Sequence, residues 1–92
     1  VEFLVTITQD WATLRDQPNL AELIEAERRV GRSLIDDGTI QRIWRLPGRR
    51  SNVGIWRAED ATALVATLDR LPLRNWLDAE VTPLALHELE RQ

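Results

Sequence analysis

The chain contains no cysteine, methionine, tyrosine or lysine, and all of its 12 basic residues are arginine. These absences exclude whole chemistries. Without thiols there are no disulfides, thiolate nucleophiles or thiolate metal sites, and without lysine there is no Schiff base. The single histidine, His87, cannot build a histidine-rich metal centre within one chain. Catalysis is left to carboxylates, arginines, that histidine, hydroxyls and backbone groups. No apolar run approaches the roughly 18 residues needed to cross a bilayer, and the start lacks the basic-then-apolar pattern of a signal peptide. The expectation is a cytoplasmic protein with no membrane partner.

What is present fits one folded domain over residues 1–92: 43% hydrophobic and 29% charged residues, near globular averages. The net charge is −3, but it is unevenly spread. Residues 38–58 hold Arg42, Arg45, Arg49, Arg50 and Arg57 and no acid, a local +5 that leaves −8 for the rest. The overall sign and the lack of an aromatic RNA-binding signature argue against nucleic acid, whereas a small anion site is compatible with the local excess.

Residues 2–8 alternate Phe3, Val5 and Ile7 against Leu4, Thr6 and Thr8, a strand pattern. After a polar connection, Asn19 and Glu22 resemble a capping box for a helix running to about Asp37, closed by Gly38. Leu20, Leu23, Ile24, Val30 and Leu34 share one side of that helix, while Glu25, Arg28, Arg29, Arg32 and Asp36 share the other. Residues 39–46 and 51–57 read as a hairpin around Pro47-Gly48-Arg49-Arg50. A second helix from around Glu59 or Asp60, burying Ala61, Leu64, Val65 and Leu68, must stop near Leu71, before Pro72, and a last strand fits residues 76–83. The order β-α-β-β-α-β predicts an α+β, ferredoxin-like fold: a four-stranded antiparallel sheet with two helices on one face. In the first hairpin strand Ile40, Arg42, Trp44 and Leu46 alternate with Gln41, Ile43 and Arg45, so both faces carry apolar bulk. With four tryptophans in so short a chain, the open face calls for a cover, most simply a second copy in a homodimer.

Glu27 lies seven residues after Leu20 and seven before Leu34, in the middle of the apolar stripe. Seven residues is close to two turns, so its carboxylate points toward the sheet. Burial there raises a carboxyl pKa toward the range useful for proton transfer. The competing readings are an ion pair with an arginine such as Arg45 and a side chain that snorkels at the edge of the stripe. Gly31, one turn on, leaves space beside it. Arg42 and Arg45 sit inside a strand and project to opposite faces, so at least one approaches covered surface, where a guanidinium can clamp a carboxylate. Arg49 and Arg50 read as solubilising loop residues. His87 reads as a surface histidine unless a subunit interface buries the chain's end.

The ordered set Phe3-Leu4-Val5, Ala26-Glu27-Arg28, Gly38, Trp44-Arg45, Gly48, Asn52-Val53, Ile55, Leu71-Pro72-Leu73 and Glu80-Val81-Thr82-Pro83-Leu84 with His87 resembles the muconolactone Δ-isomerase family over nearly the whole chain. The resemblance implies a dimeric α/β barrel type of assembly, built further into a decamer. It also implies a double-bond shift in an unsaturated lactone carboxylate, muconolactone, in the β-ketoadipate pathway of aromatic catabolism, carried out with no metal and no organic cofactor. By that resemblance Glu27 is the proton shuttle and Arg45 or Arg42 holds the carboxylate or the developing enolate. Trp44, Asn52, Trp56 and Trp76 wall or orient the lactone, with His87 in the closing segment of the substrate-facing set. The chain departs from the family pattern at Ile24, where Lys is common, at Arg50 for Tyr, at Arg74-Asn75-Trp76 for Phe-Pro-Tyr and at Glu88 for Pro. The alternatives are dehalogenation of a chlorinated muconolactone on the same site, and a non-catalytic oligomer that binds a small carboxylate with Glu27 ion-paired to Arg45.

Overall fold

The computed structural model describes residues 1–90. Strand β1 (Glu2–Gln9) is followed by a short helix α1 (Trp11–Leu14), the long helix α2 (Leu20–Asp36), strands β2 (Ile40–Leu46) and β3 (Ser51–Arg57), helix α3 (Ala61–Leu68) and strand β4 (Leu77–Leu84). Single 3-10 turns precede β4 (Arg74–Trp76) and close the described chain (Glu88–Glu90). The four strands form one sheet in the order β2-β3-β1-β4, and every neighbouring pair is antiparallel. This is the expected ferredoxin-like arrangement.

The alternation in β1 does what its pattern requires. Phe3, Val5 and Ile7 are buried, and they join Ile40 and Trp56 from the sheet, Leu34 from α2, Leu64 and Leu68 from α3, and Leu71 in one core. Both larger helices therefore cover the same face. Leu64 and Leu68, four residues apart, make the buried row of α3, which leaves Ala61 and Val65 outside it; Val65 is 47% exposed, contrary to the expected burial of both. None of the described helices is long and apolar enough to cross a membrane.

The two helix starts differ in mechanism. Asp60 is extended (φ −158°, ψ 178°) and its carboxylate accepts from the Ala63 N–H at 2.8 Å, a working N-cap. Asn19 has φ −106° and ψ 32°, and its side chain makes no capping hydrogen bond, so the predicted capping box is not formed. Helix α1 was hidden in the polar connection. Its cap is Asp10, which accepts from the Thr13 N–H, and its anchor is the fully buried Leu14.

A bulge at Gln41 changes the reading of β2. Ile40 pairs with Trp56 but Arg42 pairs with Ile55, so one extra residue sits in β2. Strict alternation would group Ile40 with Arg42, Trp44 and Leu46. With the bulge, Ile40 shares the helix-covered face with Ile43 and Arg45, whose partners are Gly54 and Asn52, and Arg42, Trp44 and Leu46 occupy the open face. Gly54 permits this approach: a Cβ there would lie 2.7 Å from the Arg42 carbonyl oxygen. At the other end of the hairpin, Gly48 (φ 80°) makes the turn that returns Arg49 and Arg50 toward the sheet.

Candidate active site

Register brings three side chains into a row. Asn52 on β3 pairs with Ile7 of β1 and with Arg45 of β2, so Ile7, Asn52 and Arg45 lie side by side on the face that α2 crosses. Above them Ile24, Glu27 and Arg28 complete a cleft of about 840 Å³. That is the size of a small-molecule site. Its rim is the hairpin turn, Gly48 to Ser51, together with Gln9 and Trp11, and its far wall is Leu73 and Leu77.

Glu27 is half-buried, where its place in the middle of the apolar stripe predicts a largely buried side chain. Its Oε1 accepts from the Leu73 N–H at 3.1 Å. The donor is fixed by its surroundings: Leu71 and Leu73 are both buried on either side of Pro72. The turn that follows uses the Leu71 and Leu73 carbonyls as acceptors for the Arg74 and Trp76 N–H groups, and the Leu73 N–H donates to the carboxyl group. Burial pushes the Glu27 pKa above the usual glutamate value, and the Leu73 N–H partly offsets that by favouring the anion. Among the described residues the ion pairs are Arg15 with Asp16 and Arg74 with Asp69, so no arginine neutralises Glu27. The ion-pair reading with Arg45 is thereby removed at this geometry.

Asn52 contributes a second unusual group. Its Oδ1 is buried and has no hydrogen-bond partner. A buried acceptor in this state is costly unless something else satisfies it, and in a cleft that something is a ligand or water. The cleft also carries four arginines, Arg28, Arg45, Arg49 and Arg50, against one acid, Glu27. Its chemistry is that of a carboxyl group in a positively charged, partly apolar recess, suited to moving a proton on an anionic organic molecule.

Of the sequence-derived candidates, Glu27, Arg45, Trp44 and Asn52 meet at the cleft. Trp44 reaches it from the edge strand, with its register partner Val53 on the open face and the Arg42 guanidinium 4.9 Å from its ring centroid. Arg42 lies on that open face and does not line the cleft. Trp56 is 1% exposed in the core, where it packs as structure rather than as a wall. Trp76 borders a separate recess with Asp10 and Asp78, and its carbonyl accepts from the Asp10 N–H at 2.7 Å. His87 is exposed beyond β4, and its Nδ1 accepts from the Leu89 N–H at 3.0 Å. Gly31 has open space where a Cβ would stand, but it does not border the cleft. Sequence reasoning missed Leu73, whose role is a backbone N–H, and Trp11 and Arg50, which stack on each other at the rim with the guanidinium 3.9 Å from the ring centroid.

An antiparallel four-stranded sheet, two helices across one face and a carboxyl group in the cleft between them define an α+β protein of the ferredoxin-like class with a small-molecule site. Comparison with known proteins narrows the class. A family model described as muconolactone delta-isomerase matches residues 1–90. Muconolactone Delta-isomerase 2 of Acinetobacter lwoffii is 29% identical over 85 residues, covering 92% of this chain and 88% of that protein. Muconolactone Delta-isomerase of Rhodococcus opacus is 35% identical over 66 residues, covering 72% and 71% of the two chains. A crystal structure of muconolactone isomerase at 3.3 Å resolution superposes with a TM-score of 0.84 at 28% identity, covering 96% of this chain and 92% of that one. This chain belongs to the muconolactone Δ-isomerase family.

Proposed function

We propose that the chain isomerises muconolactone to the 3-oxoadipate enol-lactone, with Glu27 carrying the proton. The observation that supports this most strongly is the state of Glu27: half-buried in the cleft, raised in pKa, oriented by the Leu73 N–H and in no ion pair with an arginine among the described residues. The carboxylate takes the ring proton from the carbon bearing the carboxymethyl arm. Electrons of that C–H bond pass through the ring double bond onto the lactone carbonyl, giving a dienolate. The protonated carboxyl then returns the proton to the carbon next to the carbonyl, so the double bond moves and nothing else is gained or lost. Both proton transfers are general acid–base steps on an activated carbon. Arg45, in register with Asn52, supplies positive charge for the dienolate, and the unsatisfied Asn52 amide orients the ring.

The open sheet face supports an assembly. It presents Trp44, 44% exposed, and Leu84, 38% exposed, beside Leu46, Val53 and Ile55. A second copy packed sheet to sheet covers this face, and light scattering at micromolar concentration should give a mass of at least two chains; a monomer mass removes the proposal.

Proton NMR of muconolactone in deuterated water with the purified protein tests the function directly. Conversion to the enol-lactone, with deuterium entering the carbon next to the carbonyl, is the expected result. No conversion and no exchange from the folded protein refutes it.

A further inference from the structure

The cleft has a surplus of cations that the proton shuttle does not use, and one of them is unusually fixed. Arg50 is held at both ends. Its carbonyl accepts from the Gln9 N–H at 2.8 Å, which ties the hairpin turn to the end of β1. Its guanidinium stands 3.9 Å from the Trp11 ring centroid, on the short helix that Leu14 anchors in the interior. A guanidinium laid on an indole keeps its plane fixed by cation–π attraction while its edge N–H donors stay free. Among the described residues no carboxylate lies within ion-pair distance of it. Arg42 makes a looser pairing with Trp44 at 4.9 Å, but on the open face of the sheet. Arg45 sits in the row with Asn52 on the floor of the cleft, whereas Arg50 and Trp11 stand at its rim.

We propose that Arg50, held flat by Trp11, is the specificity-determining residue that clamps the carboxylate of the substrate's side arm, leaving Arg45 to face the lactone ring. This deepens the isomerase reading, on which it rests for the choice of substrate. The planar edge of Arg50 takes a carboxylate through two parallel N–H···O bonds, a geometry that an uncharged ester cannot reproduce. The division of labour gives the asymmetric substrate one orientation: acid arm at the rim, reacting ring beneath Glu27.

The test reads binding and not turnover. The probes are the saturated lactone acid, which is muconolactone with its ring double bond reduced and so unable to form the dienolate, and its methyl ester. Both are titrated by calorimetry into the whole protein and its variants. Arg50→Gln should weaken the acid by about tenfold or more while the ester changes by less than about twofold, in line with the strength of charge-assisted hydrogen bonds. Arg50→Lys should recover only part of the loss, since an ammonium neither forks nor stacks in the same way. Trp11→Leu should weaken the acid selectively by several-fold. An unchanged acid-to-ester ratio in Arg50→Gln overturns the proposal, and so does a ratio that collapses in Arg45→Gln alone. Failure of the parent to bind either probe overturns it as well. If the parent binds the acid through Arg50 but does not convert muconolactone, the clamp stands and the isomerase reading falls.

Discussion

Replacing Glu27 by glutamine separates the proton-transfer role from the structural one. The amide keeps an oxygen in place of the Oε1 that accepts from the Leu73 N–H at 3.1 Å, so the wall of the cleft should hold. It removes the only acidic group that borders the cleft among the described residues. A positioned general acid–base group contributes about 10²- to 10⁴-fold to rate. At about 1.4 kcal/mol per factor of ten, the barrier should rise by roughly 2.7 to 5.4 kcal/mol. Turnover followed by proton NMR should fall by that factor while the mass in solution stays that of the parent. Stability should move the other way. Burial holds the folded-state pKa of Glu27 above its unfolded value. Its contribution to stability is therefore fully present below the unfolded pKa and is lost as pH rises through the folded one. Glutamine has no such loss, so the variant should gain thermal stability relative to the parent on going from acidic to alkaline buffer. Turnover within about threefold of the parent, from a protein with the parent's mass, would refute the shuttle, because it is far smaller than the general acid–base contribution. A variant that loses ground as pH rises would refute burial as the cause of the raised pKa.

Substitutions at three further positions test the fold that holds the site. Gly54→Ala would place a Cβ 2.7 Å from the Arg42 carbonyl oxygen, and because that atom is backbone it must move; a loss of about 1–3 kcal/mol in denaturant unfolding is expected, and an unchanged midpoint would contradict the packing at the bulge. Gly31→Ala meets nothing within 4 Å in the middle of α2, so it should stabilise the protein by about 1 kcal/mol, and a lowered melting temperature would mean the position is occupied in the assembled protein. Asp60→Ala removes the carboxylate that caps α3 at 2.8 Å and should cost about 1 kcal/mol, with Asp60→Asn restoring most of it; equal stability of the alanine and asparagine variants would count against the cap.

The elements were legible where local pattern and burial agree. The alternation of Phe3, Val5 and Ile7 belongs to a central strand with one covered face, and the helical spacing around Glu27 put a carboxyl group on the side of α2 that meets the sheet. What escaped was set by single residues or by the backbone. One extra residue at Gln41 reversed the face of every later side chain in β2 relative to Ile40, and nothing in the composition of residues 39–46 marks it. The family resemblance makes Trp56 a wall of the site; its cross-strand partners Phe3 and Ile40 place it in the core instead. Arg50 read as a solubilising loop residue because its stacking partner, Trp11, is distant in sequence and lies on a four-residue helix hidden in a polar connection. Leu73 acts through its N–H, a group every residue but proline possesses, so no side-chain pattern could announce it.

If Glu27 is the base, the pH dependence of kcat/KM for muconolactone reports its titration, since that profile reflects the essential groups of the free enzyme. An ascending limb is expected, with a midpoint above the ordinary glutamate value of about 4.3, and it should disappear, with most of the activity, in Glu27→Gln. A limb at or below that value, or one that survives unchanged in the variant, would contradict it.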